Sequence, residues 1–232
     1  RVVLLATGDE LVSPGEAVGP NQIISSNTLA LAALVRANGA EPVDLGIAKD
    51  TLESLRTLAA GAAGTDLLIT LGGASVGEHD LVQKALGDMG LNVDFWKIAM
   101  RPGKPLISGN LGSTPMLGLP GNPVSAMVCG LIFVVPALRK LSGLSGGPIA
   151  RTWARLGAPL SANRSREAYL RGDLTRDEHG ALIATAFDVQ DSSVQSGLAD
   201  AGCLVVQPPD GPAMKVGDPI EVIPMPNAPT WV

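Results

Sequence analysis

From residue 1 to about 142, short apolar runs alternate with amphipathic stretches, and most apolar runs end in a loop of glycine, proline or carboxylates. Strand-length runs separated by helix-length segments specify βαβ units, which close around a mostly parallel sheet with helices on its faces. The expected strands are 2–6, 42–47, 67–71 and 93–100, with shorter runs at 106–108 and 116–119. Ser26 or Asn27 can cap a first helix that carries Leu31, Leu34 and Val35 on one stripe and stops near Asn38-Gly39. A second helix is expected over 51–63 with Asp50 as its cap, and a third opens near Glu78 and ends at Gly90. The last follows Gly121-Asn122-Pro123 and is uncharged from Val124 to Val135. That run is shorter than a bilayer requires and reads as a buried core helix, with Pro136 kinking it or ending its regular part.

The chemistry changes after Ser142-Gly143-Leu144-Ser145-Gly146-Gly147-Pro148. Residues 151–176 hold six arginines against Glu167 and Asp173, and residues 177–232 hold one lysine against eight acids. Short runs at 182–186, 203–207 and 219–222 lie between Gly, Pro and Asp, the pattern of a small all-β, barrel-like domain, with an open barrel as one form of it. Two domains are therefore expected, an α/β domain over 1–148 and a β domain over 149–232. A net charge of −5 argues against nucleic acid held by bulk electrostatics. Two cysteines and two distant histidines supply neither a zinc cluster nor a disulfide framework. With no signal-peptide pattern at the start and no spanning segment, a cytoplasmic protein without membrane contact is expected.

In a parallel α/β sheet, ligands bind at the carboxyl ends of the strands. Five loops occupy those positions: Thr7-Gly8-Asp9-Glu10, Ala48-Lys49-Asp50, residues 72–80, Arg101-Pro102-Gly103-Lys104-Pro105 and residues 118–123. Gly72, Gly73, Ser75 and Gly77 precede a helix, where free backbone N–H groups suit a phosphate, although a tight capped turn gives the same residues. Lys97, Arg101 and Lys104 place three cations within eight residues of an acidic chain, which suits an anionic ligand group; the alternative is a snorkelling lysine beside solvated loop cations. Glu10, Asp50 and Asp80 lie on three loops of one rim, the oxygen donors that a hard cation such as Mg²⁺ takes beside a phosphate; singly, each is also a cap or a solvated acid. Pro120-Gly121-Asn122 opens a helix and offers another N-terminus, already explained by capping. In the β domain Arg164, Arg166 and Arg171 flank Tyr169, near Gln190-Asp191-Ser192-Ser193; they make either a solvated face or an anion-facing patch.

The ordered set Thr7-Gly8-Asp9-Glu10-Leu11, Ser26-Asn27, Asp50, residues 72–77 with Asp80, Trp96-Lys97 through Pro105, and residues 120–125 resembles the C-terminal portion of the molybdopterin molybdenumtransferase family, which includes the E domain of gephyrin. The likeness spans most of residues 1–142, and the tail fits the family's small β domain. It implies conversion of adenylylated molybdopterin and molybdate into the molybdenum cofactor with release of AMP, assisted by a divalent cation. The family's acidic positions fall on Glu10, Asp50 and Asp80 and its basic ones on Lys97 and residue 101, where arginine stands in place of the common lysine. On this reading Thr7, Gly8, residues 72–77 and the Pro120-Gly121-Asn122 turn bind the pterin phosphate, and Lys97, Arg101 and Lys104 neutralise phosphate or molybdate. The resemblance also implies further N-terminal domains, a homodimer in the full-length protein and a molybdopterin adenylyltransferase as partner. Two other readings stand beside it: an adenylyltransferase, which the β domain and the Thr-Gly-Asp-Glu segment disfavour, and a non-catalytic scaffold binding a pterin or a peptide.

Overall fold

The structure is a computed structural model that describes residues 1–73 and 81–225. Two compact units share the chain: Arg1–Ile98 with Gly103–Pro148, and Ala99–Pro102 with Ile149–Val232. The first begins with β1 (Val2–Thr7), a short parallel pair β2 (Leu11–Val12) and β3 (Ile23–Ile24), then α1 (Asn27–Ala37), β4 (Pro42–Ala48), α2 (Leu52–Ala59), β5 (Leu67–Leu71), α3 (Leu81–Gly87) and β6 (Leu91–Trp96). After β7 (Met100–Arg101), which belongs to the second unit, come β8 (Ile107–Leu111), β9 (Thr114–Leu119), α4 (Pro123–Cys129) and α5 (Val135–Leu141).

The six strands of the first unit run in the order β4-β1-β5-β9-β8-β6. The β4, β1, β5 and β9 pairings are parallel, and β8 is antiparallel to both its neighbours. All six residues of β1 are buried, so both its faces are covered, as an uninterrupted apolar strand demands. Val3, Leu5, Leu68 and Met116 share one core cluster with Leu55 and Ala59 of α2 and Val82, Ala85 and Leu86 of α3. Helix α1 packs on α4 and α5 apart from that cluster.

Several boundaries differ from expectation. The run 93–100 is not one strand: β6 ends at Trp96 because Lys97 turns to φ +71, and Met100–Arg101 forms the separate β7. Thr51, not Asp50, caps α2; its hydroxyl accepts from the Ser54 N–H at 3.2 Å, which leaves the Asp50 carboxylate for other partners. The third helix ends at Gly87, with Gly90 in the turn beyond it, and its expected opening near Glu78 lies outside the described residues. A π turn over Gly130–Val134 joins α4 to α5 immediately before Pro136, so the proline's missing N–H is absorbed without ending the helix. The combined helix Pro123–Leu141 is 19 residues with mean hydropathy 1.8, long and apolar enough by those measures to cross a membrane, which corrects the shorter run read from the sequence. Val124, Ala126, Val128, Cys129, Val134 and Leu138 of that helix are buried inside the protein.

The second unit contains β7, β10 (Thr152–Leu156), β11 (Glu167–Arg176), β12 (Leu182–Ala186), the short α6 (Ser196–Ala199), β13 (Cys203–Gln207) and β14 (Pro219–Pro224). Five strands close a barrel in the order β10-β14-β13-β11-β12 and back to β10, so the barrel is closed rather than open. Closure depends on the length of β11: its first two residues pair with β7, its middle with β13 and its last part with β12. Gly172 is the residue at which the two neighbours meet, and a β-carbon there would strike the Thr185 carbonyl. Alternate residues Ala154, Leu156, Val205, Ile220 and Val222 fill the barrel core with Leu174, Ala184 and Cys203.

Candidate functional site

In the first unit the carboxyl ends of β1, β4, β5 and β9 lie side by side, and the residues after them form one rim. Thr7 ends β1, and its hydroxyl donates to Asp50 Oδ1 at 3.0 Å. Asp9 and Asp50 bond reciprocally: the Asp9 N–H donates to Asp50 Oδ2 at 3.4 Å and the Asp50 N–H to Asp9 Oδ1 at 3.2 Å. The Gly8 N–H donates to the Ala48 carbonyl at 3.2 Å, which ties the two loops at backbone level. Gly8 has φ +148, and the Glu10 carboxylate folds back into the space a β-carbon would take. Thus Thr7, Gly8, Asp9, Glu10 and Asp50 form one neighbourhood, with Asp9, Glu10 and Asp50 exposed to solvent.

These are hard oxygen donors with lone pairs left over after their backbone bonds. Mg²⁺ is commonly held by one or two carboxylates plus substrate phosphates, so the pair Asp9 and Asp50 fits it, with Glu10 beside Gly8. Among the described residues no group of three or more His, Cys, Asp or Glu is placed to hold a metal ion, so these residues alone do not complete a site. Asp80, Ser75 and Gly77 lie outside the described residues.

The glycine loops meet at the same rim. Gly72 has φ +89, its N–H donates to the Leu119 carbonyl at 3.1 Å, and a β-carbon on it would stand 2.7 Å from the Thr7 carbonyl oxygen. Gly73 would drive a β-carbon into the Val82 side chain, and a β-carbon on Gly121 would lie 3.6 Å from the Gly72 α-carbon. The two loops therefore meet backbone to backbone, an approach that requires glycine at position 72. Pro120 is buried beneath them, and Asn122 is the N-cap residue of α4, its carbonyl accepting from the Ala126 N–H at 2.9 Å. Asn27 adds a clamp: its Nδ2 donates to the Gly121 carbonyl at 2.6 Å. Its Oδ1 is buried and has no partner among the described residues. Of the two expected caps, Ser26 and Asn27, it is Ser26 that occupies the N-cap position, without a side-chain capping bond.

The three expected cations are not equivalent. Lys97 is half-buried, with its ammonium 3.6 Å from the centroid of the Trp96 ring. Lys104 is exposed, and its carbonyl accepts from the N–H groups of Ile98 and Leu106, which closes the loop at its base. Arg101 is exposed on β7 and pairs with Ala168 of β11, so it belongs to the second unit, while Lys97 and Lys104 belong to the first.

In the second unit Arg171 is not part of an exposed face. It is 1% exposed and donates to the carbonyls of Val194, Asp191 and Val189 at 2.8, 3.0 and 3.2 Å. Its burial pushes the guanidinium pKa down from its ordinary value, opposed by the charge of Asp191. The Asp191 carboxyl is held low by bonds from the Ser193 N–H and hydroxyl, with Arg171 adding to the effect. Tyr169 is buried and donates to Glu167 at 2.7 Å, whereas Arg164 is exposed and Arg166 half-buried. Asp9, Asn27 and Trp96 lie within the motifs read from the sequence, but none of them is given a role in the site there. Asp9 stood inside the Thr-Gly-Asp-Glu motif, and its carboxylate at a strand end was the available signal.

Residues 3–140 match the family model of the probable molybdopterin binding domain, and residues 153–225 that of the MoeA C-terminal region, domain IV. The molybdopterin molybdenumtransferase of Nostoc sp. is 42% identical over 180 residues, 75% of this chain and 41% of its own length. Molybdopterin molybdenumtransferase 2 of Mycobacterium tuberculosis is 36% identical over 228 residues, 96% of this chain and 56% of its own. A crystal structure of a molybdopterin biosynthesis MoeA protein from Pyrococcus horikoshii superposes with a TM-score of 0.82 at 30% identity, covering 99% of this chain and 55% of that one. The chain spans about half the length of the curated relatives it matches. With the α/β unit and the closed barrel each matched in their order along the sequence, the chain belongs to the molybdopterin-binding family and carries the C-terminal region of its MoeA branch.

Proposed function

We propose that this chain is the molybdopterin-binding part of a molybdopterin molybdenumtransferase, which inserts molybdate into adenylylated molybdopterin and releases AMP. The observation that carries the reading is the junction of the Asp9–Asp50 pair with the Gly72 and Gly121 loops at one strand edge, an oxygen-donor group next to backbone prepared for a phosphate. Main-chain N–H groups of the glycine loops, other than the Gly72 N–H that Leu119 takes, hold the pterin phosphate at the Pro120-Gly121-Asn122 turn. Thr7 fixes one Asp50 oxygen and so orients the carboxylate. Lys97 and Lys104 offset the charge of phosphate or molybdate. Glu10, Asp50 and Asp80, joined by Asp9, would hold Mg²⁺, which would supply charge neutralisation for the phosphoanhydride. The chain supplies no nucleophile; its residues bind, orient and neutralise.

The whole enzyme is proposed to be a cytoplasmic homodimer that takes its substrate from a molybdopterin adenylyltransferase. The match of residues 153–225 to a MoeA C-terminal region favours the transferase over the adenylyltransferase itself. The test is AMP release from adenylylated molybdopterin, with molybdate and Mg²⁺, by the protein with its N-terminal residues, comparing wild type with Asp50→Asn. Loss of Mg²⁺-dependent release in the variant, with pterin binding retained, is expected. Undiminished turnover would remove Asp50 from the metal group, and consumption of ATP with unadenylylated molybdopterin would reverse the assignment.

A further inference from the structure

Two consecutive residues at the end of β6 carry three unfavourable or unusual features. Lys97 occupies left-handed backbone at φ +71. Of the described non-glycine residues with positive φ, the other two, Asn21 and Asp210, are of types whose short polar side chains tolerate that region, and lysine is not. The Trp96 Nε1 is buried and has no hydrogen-bond acceptor among the described residues. Finally, the Lys97 ammonium stands over the Trp96 ring at 3.6 Å from its centroid. The local backbone does not require a lysine: the Lys97 N–H to Leu106 carbonyl bond and the Ile98 N–H to Lys104 carbonyl bond, both 3.0 Å, would form with glycine at 97. The side chain is therefore what the position retains, and strain kept at one residue without a folding benefit points to function. With no acceptor for the indole N–H among the described residues, the contact with the ammonium is the polar interaction of the ring that the structure shows.

We propose that Trp96 is a positioning residue for Lys97: its face fixes the ammonium, already stripped of water on one side, so that the remaining N–H donors meet a tetrahedral dianionic oxyanion. A lysine free in solution must freeze a long stem and shed water when it binds such an anion, and the ring removes part of both costs beforehand. Lys104 and Arg101, both exposed, have no aromatic face among the described residues. This inference rests on the place given to Lys97 in the proposed function. The oxyanion is either free molybdate or the phosphate monoester of the pterin as it stands once AMP has left, both tetrahedral dianions.

The test uses the 232-residue chain, titrated calorimetrically with sodium molybdate and, separately, with inorganic phosphate. Lys97→Met and Lys97→Gly are expected to abolish binding, while Lys97→Gly melts no lower than wild type, since it relieves the left-handed backbone. Trp96→Phe is expected to stay within about threefold of wild type, and Trp96→Leu to weaken binding about three- to thirtyfold. Whichever ion shows this pattern identifies the source of the oxyanion. By NMR, the Lys97 ε-methylene protons of the wild-type chain are expected upfield, shifted by the indole ring current, a readout that needs no variant to fold. Unshifted ε-protons, or wild-type affinity in Trp96→Leu while Lys97→Met loses it, would overturn the positioning role and leave the reading of Lys97 intact. Unchanged affinity in Lys97→Met, or no binding of either ion by the wild-type chain, would overturn both.

Discussion

Replacing Arg171 by methionine is expected to unfasten the segment 187–195 and destabilise the barrel by about 2–4 kcal/mol. The guanidinium makes three bonds to main-chain carbonyls of that segment, and its Nε adds a longer contact to the Gln190 side-chain oxygen at 3.4 Å. Gln190 in turn donates to the carbonyls of Arg171 and Phe187, both at 2.8 Å, so the segment is folded around one charged group. Hydrogen bonds from a charged donor contribute about 1.5–3 kcal/mol each, roughly 5–9 kcal/mol for three if they were additive. Against this the variant recovers the cost of burying a guanidinium, several kcal/mol, and the freed carbonyls can find water because most of the segment is exposed. The difference is the figure given, or a fall in melting temperature of about 10–25 °C for a unit of this size. Urea unfolding followed by circular dichroism measures the first quantity, and hydrogen exchange of the peptide 187–195 measures the second effect, the loosening. Arg171→Lys should recover less than half the loss, because an ammonium cannot span three carbonyls as the fork does. A loss below about 0.5 kcal/mol with unchanged exchange would refute the view that this one cation organises the segment.

Other consequences are as direct. Burial pushes the Cys129 thiol up to about 12, and burial with the Asp173 charge does the same for Cys203, both from 9.0. A thiol with a raised folded pKa contributes stability that is intact below pH 9 and is lost as pH climbs toward 12, at about 1.4 kcal/mol per thiol per pH unit in that window. Melting curves from pH 8 to 11 check this, and neither thiol should react with Ellman's reagent at pH 8 before unfolding; rapid labelling of the native chain would refute it. Gly72→Ala forces a β-carbon to 2.7 Å from the Thr7 carbonyl in left-handed backbone, so it should cost at least about 2 kcal/mol in denaturant unfolding and displace the rim loop. Thr70→Val removes a buried hydroxyl with no partner among the described residues and should stabilise the first unit by about 0.5–1 kcal/mol, read from the same unfolding assay.

What could be read from the sequence follows the reach of each interaction. β5 was legible because Leu67–Leu71 is buried throughout and is apolar but for Thr70, bounded by an acid and two glycines. The neighbourhood of Thr7, Asp50, Gly72 and Gly121 was legible because parallel strands bring the residues after them to one edge whatever the details. The capping of α2 was misjudged because Asp50 and Thr51 are both competent caps, and only the loop from β1 decides between them by engaging the Asp50 carboxylate. β10 and β11 went unseen because Arg155, Glu167, Arg171 and Asp173 interrupt their apolar pattern. Arg171 is hidden from any periodicity argument, since its neutralising carbonyls come from residues 18–23 positions ahead. The partners of Asn27 and Asp9 come from distant loops, so local rules marked the residues but not what they bond to.

The placement of β7 has a consequence for how the protein can be made and cut. Its two residues leave the ribosome before β8, β9 and the last helices of the α/β unit and long before β11, the strand they join, so β7 waits unpaired until the barrel is synthesised. A gene fragment beginning at residue 149 would encode five strands but leave the main-chain groups at the start of β11 without the Ala99 carbonyl that the Glu167 N–H engages at 2.9 Å. Such an open margin invites pairing with a neighbouring chain, so domain libraries cut at the linker should yield larger assemblies than the uncut chain.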